Sequence, residues 1–413
     1  MLNKTLENWE EKTLDEICNF SRGLTYSKKD EVETSNNIVL RANNIDLISN
    51  SLNFDELKYI NSEIIIPEDK KVKINSIMIC ISSGSKSHLG KVAFIDKNYG
   101  YAFGGFMGLI IPNDNILPKF LYYMLISPAF KNLIFNLTDG ANINNLKYSD
   151  LKDFKLNIPP LSEQQRIVEI LDEAFENIEK AKQNALQNLN NAKELFESYL
   201  KEYFEITKNT WQKYKLSEIT TKIGSGATPL GGKKAYIDCG ISLIRSMNVY
   251  DREFIYEGLA HISEIQAKQL DVVTIQEKDV LLNITGASVA RCCVVPNDVI
   301  PARVNQHVSI IRPKQEIILS KFLCYLLTSN YYKNILLKDG AEGGATRQAL
   351  TKTGLEQFEV YIPKTLEEQQ KIVAQLDELQ EQTQKLEQIY EQKIKDLDEL
   401  KQSILQKAFN GEL

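Results

Sequence analysis

The sequence predicts a mixed α/β (α+β) protein in which two pseudo-symmetric globular domains are joined by two long antiparallel coiled-coil helices. The main observation is a repeat: residues 158–173, IPPLSEQQRIVEILDE, return as residues 362–378, IPKTLEEQQKIVAQLDE. Each copy opens a long amphipathic stretch, and short β-rich runs precede it. A unit written twice in one chain predicts a pseudo-symmetric molecule, which suits a target with two separated halves.

Each globular half is predicted to be a compact domain with a substantial strand content. The β-rich runs, bounded by Gly, Ser, Asn and Pro, cover residues 76–82, 92–95, 280–285 and 292–295. A helical stretch follows them in each half, at residues 117–134 and 319–336. Matched positions are mostly apolar or turn-forming, whereas the loops differ in length and chemistry. The halves are therefore expected to share a scaffold and to differ on the surface.

The two long stretches are predicted to be coiled-coil helices because apolar residues recur at steps of four and three. The first seam contains Ile167, Leu171, Ala174, Ile178, Ala181, Ala185, Asn188, Ala192, Leu195 and Tyr199, and the second contains Ile372, Leu376, Leu379, Thr383, Leu386, Tyr390, Lys393, Leu397, Leu400 and Ile404. Asn188 and Lys393 occupy equivalent positions, where a polar residue either fixes helix register or is solvated in a locally open seam. Antiparallel pairing would place the globular halves at opposite ends, like a dumbbell.

The repeat also predicts the domain boundaries. Residues 1–157 form a first globular domain and 158–205 a first helical spacer; residues 206–361 form a second domain and 362–413 a second spacer. Each globular part then has about 150 residues, an ordinary size for a domain. Two prolines followed by Ser162 and Glu163 are typical of a helix start.

Composition favours a folded intracellular protein. A hydrophobic content of 43% is ample for two cores. The 6 cysteines form no C-x-x-C pair and the 3 histidines have no metal-ligand spacing, so buried reduced thiols and no metal site are expected. The first twelve residues are polar, and no apolar run reaches the roughly 18 residues that span a bilayer. We therefore expect a soluble, cytoplasmic protein.

The charge distribution permits DNA binding despite a net charge of -6. Residues 162–204 and 366–413 together carry 20 acidic and 11 basic residues, a net charge of -9, which leaves the globular remainder at +3. A mildly basic surface disfavours a non-specific, salt-driven binder, because such a protein needs a strong basic field.

No catalytic or cofactor motif is complete. Residues 157–161, NIPPL, lack the contiguous order and the aromatic residue of the Asn-Pro-Pro-Tyr/Phe motif of amino-methyltransferases. Residues 224–234 miss the register of a phosphate-binding loop, and the glycine run at 103–108 has no glycine counterpart at 303–307. A Gly-x-Ser-x-Gly elbow is also missing from the sequence. The sequence thus predicts a protein that binds and positions, with no catalysis and no cofactor of its own.

Polar loops in both halves carry side chains suited to DNA. Arginine can bridge guanine O6 and N7, asparagine or glutamine can bridge adenine N6 and N7, and lysine and serine suit phosphates. The candidates are Arg41, Asn43, Ser83, Ser85, Lys86, His88, Asn142, Asn144 and Lys147 in the first half, and Thr228, Arg245, Asn248, Ser288, Arg291, Arg303, Asn305, Gln306, Thr346 and Arg347 in the second. Any one loop could be an ordinary solvated turn. Their recurrence at corresponding places with different side chains is what two readers of different half-sites would show.

Three features carry a resemblance to a known family: residues 158–168 with 362–373, the terminal QKAFNGEL at 406–413, and the Gly-Ala-Thr-Pro turn at 226–229. With them, essentially the whole chain resembles a specificity subunit of a type I DNA restriction-modification system. The first half departs from the family pattern where residues 21–26 replace a proline-containing turn. It departs again where residues 141–144 replace a loop richer in glycine and threonine.

The resemblance implies two target-recognition domains, each reading one half of an asymmetric, interrupted double-stranded DNA sequence. It implies that the helices dock two adenine-N6 methyltransferase subunits and that ATP-dependent restriction subunits complete the nuclease. S-adenosylmethionine, ATP and Mg²⁺ would then be bound by those partners. Helices of about 60 Å could hold two readers about 34 Å apart, one turn of DNA. Two alternatives stay open: a coiled-coil scaffold that binds only proteins, and a self-sufficient methyltransferase.

Overall fold

The computed structural model describes residues 8–138, 145–341 and 349–413. The chain divides into two compact units, the first formed by Met1–Ala185 with Gln392–Leu413 and the second by Leu186–Glu391. Both unit borders lie inside long helices, so each unit contains a part of both helices. The boundaries at 157/158, 205/206 and 361/362 remain a prediction.

The first unit is built from short strands, which form a pair and two four-stranded sheets. The strands are β1 (Glu10–Thr13), β2 (Cys18–Arg22), β3 (Glu31–Val32), β4 (Asn37–Leu40), β5 (Lys58–Ile60), β6 (Ile77–Cys80), β7 (Val92–Phe94), β8 (Ala102–Phe103), β9 (Met107–Pro112) and β10 (Lys155–Ile158). The helices are α1 (Leu14–Ile17), α2 (Pro118–Leu125), α3 (Pro128–Thr138), α4 (Tyr148–Lys152) and the start of α5 (Leu161–Thr207). The sheet orders are β1-β10, β2-β9-β6-β7 and β3-β5-β4-β8.

The second unit repeats this plan. Its strands are β11 (Gln212–Lys215), β12 (Thr220–Ser225), β13 (Ile241–Ile244), β14 (Val249–Tyr250), β15 (Glu253–Phe254), β16 (Ala260–Ile262), β17 (Val280–Asn283), β18 (Cys292–Val294), β19 (Ala302–Val304), β20 (Val308–Pro313) and β21 (Glu359–Ile362). Its helices are α6 (Leu216–Ile219), α7 (Glu264–Gln269), α8 (Ser320–Thr328), α9 (Asn330–Ala341), α10 (Lys352–Gln357) and α11 (Leu366–Phe409), which ends in the first unit. The sheet orders are β11-β21, β12-β20-β17-β18, β16-β13-β19 and β14-β15.

The two units share their principal sheet and the parallel pair of the second sheet, whereas β3 in the first unit and the pair β14–β15 in the second have no counterpart among the described residues. The sheet β2-β9-β6-β7 corresponds to β12-β20-β17-β18, and the parallel pair β4–β8 corresponds to the parallel pair β13–β19. In both units the central strand has two buried faces: Ile77 and Ile79 of β6 face the core beneath α2 and α3, whereas Met78 and Cys80 face the second sheet. Alternation of this kind follows from the period of two along a strand. The predicted fold class, with two pseudo-symmetric mixed domains, is confirmed.

A glycine marks the same close backbone approach in both units. The N–H of Gly23 donates to the Met107 carbonyl at 3.1 Å, and that of Gly226 donates to the Val308 carbonyl at 2.9 Å. A Cβ atom would lie 2.0 Å from a carbonyl oxygen at Gly23 and 2.1 Å from one at Gly226, which excludes any other residue. The first unit therefore keeps the essential glycine of this turn although it lacks the proline.

In each unit, the start of one long helix packs beside the end of the other. In the first unit, Ile167 and Leu171 of α5 share a core with Leu405 of α11, and Lys182 pairs with Asp398 at 2.6 Å. In the second unit, Phe196 and Phe204 of α5 share a core with Ile372 and Leu376 of α11. The helix segments are therefore antiparallel within each unit, as predicted.

The repeated Glu-Gln-Gln motif attaches each helix to its globular part. The buried Gln164 accepts a hydrogen bond from the Leu117 N–H at 2.8 Å and donates to the Pro159 carbonyl at 2.9 Å. Gln369 likewise accepts from the Leu319 N–H at 2.9 Å and donates to the Ile317 carbonyl at 2.9 Å. Each glutamine thus satisfies buried backbone groups where a recognition domain meets its helix.

A second attachment follows two turns later. Asp172 accepts hydrogen bonds from Tyr123 and, at 2.6 Å, from Lys119 of α2. Asp377 accepts from Tyr325 at 2.5 Å and from Lys321 at 2.7 Å. Burial raises the pKa of Tyr325, and the Asp377 carboxylate raises it further, so the hydroxyl stays protonated as the donor.

Of the two alternatives for the polar seam residues, the buried residue that fixes register is wrong. Asn188 and Lys393 are exposed, and the buried stripe of α5 passes through Ala185, Leu189, Ala192, Phe196 and Leu200. A straight α-helix has 3.6 residues per turn, so a strict seven-residue repeat drifts around it by about 20° per heptad. The seam therefore moves by one residue, from Asn188 to Leu189, and the two polar side chains point to solvent. Neither fixes a buried register.

The surface also differs from expectation at one cysteine. Cys239 is exposed, whereas Cys18, Cys80, Cys292, Cys293 and Cys324 are buried, and all six are free thiols. None of the helices in the described ranges is long and apolar enough to cross a membrane.

Candidate nucleic-acid interface

The first unit has a concave surface that encloses a volume of about 670 Å³, at the ends of its two four-stranded sheets. Four loops line it: the turn after β2, the turn after β4, the loop after β6 and the β8–β9 loop. Arg41, Asn43 and Ser83 are among the lining residues, as is Phe106 of the β8–β9 loop. We call this surface the first concavity.

The second unit has a concave surface that encloses a volume of about 650 Å³, which we call the second concavity. Ser246, Met247 and Tyr250 line it from the region after β13, and residues 285–288 line it from the loop after β17. Arg291, His307 and Ala349 complete the wall.

The two concavities lie at equivalent places. Gly104 N–H donates to the Leu40 carbonyl at 2.9 Å, and Asn305 N–H donates to the Ile244 carbonyl at 3.0 Å. Likewise, the Phe106 carbonyl accepts from the Ile81 N–H, and the His307 carbonyl accepts from the Ile284 N–H, both at 3.0 Å. Loops at three equivalent places therefore line the concavity of each unit, and Phe106 takes the place of His307. Backbone is shared, and the side chains that face outward are different.

The first concavity brings together part of the predicted set. Arg41 is half-buried, and its Nε is buried with no hydrogen-bond partner in the described part of the chain. Asn43 is exposed and donates to Glu56 at 3.1 Å. Ser85 and His88 continue the loop that carries Ser83, where Ser85 N–H donates to the Ser83 hydroxyl at 3.2 Å.

The remaining candidates of the first unit lie on or near the same loops. Burial lowers the pKa of His88, and Lys91 lowers it further, so this ring is neutral at pH 7 and can both donate and accept. Lys147 is exposed just before α4, close along the chain to Asn145, which forms a β-bridge with Ser82. The side chain of Lys86, and Asn142 and Asn144 entirely, lie outside the described residues.

The second concavity holds a stacked pair and a polar chain. The guanidinium of Arg291 lies 4.2 Å from the Tyr250 ring centroid, a cation–π contact, and Arg291 is half-buried. Thr228 hydrogen-bonds to Gln306, whose amide lies 3.1 Å from His307 Nε2, and His307 Nδ1 lies 2.6 Å from the Thr285 hydroxyl. Such a chain fixes the direction in which an exposed amide presents its groups.

Ser288 also lines the second concavity, whereas Thr346 and Arg347 lie outside the described residues.

The structure contradicts three candidates of the second unit, because their side chains are internal. Asn248 is fully buried: its Oδ1 accepts from the Arg245 N–H at 3.1 Å and its Nδ2 donates to the Ile255 carbonyl at 2.8 Å. Arg303 is 7% exposed and donates to the Ala267 carbonyl at 3.0 Å and to Asp271 at 2.6 Å. Asn305 is buried and accepts from the His307 N–H at 3.1 Å. These groups shape the loops and are not available to a base edge.

Arg245 is an intermediate case. It is half-buried, donates to the Gly258 carbonyl and lies over the Tyr236 ring at 5.4 Å from the centroid. The counterpart of Asn248 in the first unit is Asn44, also buried, which accepts from the Arg41 N–H at 2.8 Å. The arginine and asparagine that recur at equivalent positions of the repeat, Arg41 with Asn44 and Arg245 with Asn248, thus belong to the same structural turn.

Sequence reasoning missed the aromatic and apolar lining residues. Phe106 is 68% exposed, and Met247 and Tyr250 are also exposed. The glycines of residues 103–108 suggest a cofactor motif and draw attention away from Phe106. The signal that identifies Phe106 is an aromatic residue in a loop whose counterpart, residues 303–307, carries candidate contact residues.

Comparison with known proteins identifies the family and the fold. The family described as type I restriction modification DNA specificity domain matches residues 6–188 and 208–396, most of the chain, in two copies. The chain belongs to this family.

A relative is the StySPI type I restriction enzyme specificity subunit of Salmonella potsdam, 25% identical over 423 residues, covering 99% of this chain and 90% of the relative. A solved chain from a study of complex assembly and conformational transition of the type I R-M system has a TM-score of 0.77 at 20% identity, covering 98% of this chain and 99% of that one. The HsdS subunit from Thermoanaerobacter tengcongensis has a TM-score of 0.62 at 20% identity, covering 98% of each. Both structures share the fold.

The family assignment confirms a DNA specificity role and a non-catalytic subunit, and it leaves catalysis to partner subunits. It removes the protein-only scaffold and the self-sufficient methyltransferase as explanations of the chain. Within the described residues, the structure has no group of three or more His, Cys, Asp or Glu side chains that could hold a metal ion.

Proposed function

We propose that this specificity subunit reads a bipartite, interrupted double-stranded DNA target, with one half-site for each recognition domain. One observation carries the proposal: loops at three equivalent places line a concavity in each unit, with different outward side chains. Two equivalent scaffolds with different reading surfaces fit two different half-sites. Arg41, Asn43 and Ser83 in the first concavity and Arg291, Ser288 and Gln306 around the second supply donors and acceptors for base edges and phosphates.

The partners in this proposal are two methyltransferase subunits, docked along α5 and α11, and restriction subunits that cleave DNA with ATP. The complex would methylate adenine N6, with S-adenosylmethionine, ATP and Mg²⁺ bound by the partners, in the cytoplasm. The exposed apolar side chains of the long helices support the proposed docking of the methyltransferase subunits. Leu186, Leu195, Ile206, Ile389 and Leu400 point away from the cores.

The weak charge of the globular part supports specific over non-specific binding. Sequence-independent affinity comes from phosphate neutralisation by many Lys and Arg residues. The net charge of +3 outside the long helices supplies little of this phosphate neutralisation. Directed contacts at the two concavities would therefore account for most of the discrimination between DNA sequences.

The deciding experiment maps N6-methyladenine across the genome by long-read sequencing. Cells would express the partner methyltransferase with this chain, without it, or with a chimera in which residues 1–157 come from a homologous subunit. We expect a bipartite motif that disappears without the chain and changes in one half only in the chimera. A methylome that does not depend on the chain would refute the specificity role, and a chimera that alters both halves would refute the assignment of one half-site per domain.

A further inference from the structure

Phe106 is an exposed aromatic residue in a cationic setting. Its side chain is 68% exposed on the wall of the first concavity, which Arg22, Lys28 and Arg41 also line. The acid on this wall, Glu31, is paired with Lys58 at 2.7 Å, which reduces its effect on an incoming anion. Single exposed apolar residues are common on proteins, so exposure alone assigns nothing. Its place among three cations at the predicted DNA surface is what calls for an explanation.

The backbone holds Phe106 in a fixed position. Its carbonyl accepts hydrogen bonds from the N–H groups of Ile81 at 3.0 Å and Ser82 at 3.1 Å. On either side, the Met107 N–H donates to the Gly104 carbonyl at 2.8 Å, and Arg22 Nε donates to the Gly105 carbonyl at 3.3 Å. A side chain on a rigid loop loses little conformational entropy on binding, which suits a recognition contact.

The second concavity places its exposed aromatic residue elsewhere. His307, in the place of Phe106, is bonded to Thr285 at 2.6 Å, and the exposed ring is Tyr250, at the end of β14. The exposed aromatic residue thus comes from different elements in the two units. A difference of this kind separates two half-sites without any change in scaffold.

We infer that Phe106 makes an apolar contact with a thymine methyl group in the half-site read by the first domain, and so sets the base preference at one position. The inference rests on the proposed function. Phenylalanine discriminates thymine because the C5-methyl group projects into the major groove, where no other base carries one. The flanking Arg22, Lys28 and Arg41 would hold the adjacent phosphates. An adenine-methylating enzyme needs an A·T pair in each half-site, so a thymine is present there.

The test uses the complex of the full chain with its methyltransferase partner. Its duplexes carry the mapped target with each thymine of the first half-site replaced by deoxyuridine, one at a time. At one position, wild-type affinity should fall about fourfold, the loss expected for one buried methyl group. Phe106→Ala should bind the thymine duplex more weakly and show no further loss at that position. Its sensitivity in the second half-site should be unchanged.

Ile65→Ala is the matched control, because it removes an apolar side chain that is 91% exposed in the same unit and does not line the concavity. It should behave as the wild type. If Phe106→Ala fails to assemble, Phe106→His replaces it, since the equivalent loop carries histidine. An equal response of variant and wild type to deoxyuridine at every position would overturn the inference. A wild-type complex with no sequence preference at all would instead refute the proposed function.

Discussion

Adjacent glutamines in the repeated Glu-Gln-Gln motif have opposite environments. Gln164 and Gln369 are buried and bonded to backbone groups, whereas Gln165 and Gln370 are exposed. A buried amide that satisfies both a donor and an acceptor is costly to remove, because both backbone groups then stay buried without partners. The motif is therefore a structural attachment, which explains why it occurs once per unit.

This environment predicts unequal effects of one substitution at neighbouring residues. Gln369→Leu should destabilise the second unit by about 2–3 kcal/mol, since the Leu319 N–H and the Ile317 carbonyl lose their partner. Gln370→Leu is the control and should stay within about 0.5 kcal/mol of the wild type. Urea unfolding of the purified chain measures both. Equal losses would mean that the hydrogen bonds of Gln369 contribute nothing particular.

In the long helix α5, the buried positions follow the geometry of a straight α-helix and depart from the heptad pattern predicted from the sequence. The heptad pattern predicts α5 correctly as a helix, and its first positions, Ile167, Leu171 and Ile178, are buried. Farther on, the exposed Leu195 and Tyr199 lie one residue away from the buried Phe196 and Leu200. The seam is continuous, but its register follows the straight helix more closely than the heptad.

The shifted seam reverses the expected effect of two adjacent substitutions. Leu189→Asn should destabilise the chain by about 1–3 kcal/mol, because it places an amide in the buried stripe. Asn188→Leu should change stability by no more than about 0.5 kcal/mol, because the side chain is exposed. Thermal unfolding followed by far-UV circular dichroism would show the difference. A more damaging substitution at position 188 would restore the heptad interpretation.

On the scale of the whole molecule, the reactivity of the buried thiols shows whether the core of each unit is folded. Cys18 and Cys80 are buried in the first unit, and Cys292, Cys293 and Cys324 in the second. Burial raises the pKa of Cys18 to about 12 and that of Cys80 to about 11. Because the thiolate is the reactive form, these groups react slowly while the protein is folded.

We therefore expect rapid modification of Cys239 alone in the native chain at pH 8. A colorimetric disulfide reagent should detect one fast thiol per chain in buffer and all six in denaturant. Cys239→Ser should abolish the fast phase and leave the slow thiols unchanged. Two or more fast thiols in the wild type would show that one of the cores is open in solution.

The sequence by itself determined the repeat and the mixed fold, because self-similarity and hydrophobic periodicity can be seen in a single sequence. The specificity role was predicted from the resemblance of residues 158–168, 362–373 and 406–413 to a known family. The sequence also located the loops after β6 and β17 and the β19–β20 loop as candidate reading regions. Ser83, Arg291 and Ser288 do line the concavities.

Only the tertiary structure decided which polar residues face outward. Asn248 and Arg303 have the chemistry of base readers, yet the Asn248 amide is bonded within its own turn and to the Ile255 carbonyl, and Arg303 is bonded to the distant Ala267 carbonyl. Phe106 has the chemistry of a core residue, yet two hydrogen bonds to its carbonyl hold it at the surface. Whether a side chain is a partner of the fold or of a ligand depends on what surrounds it, and those neighbours are set by packing that the local sequence does not contain.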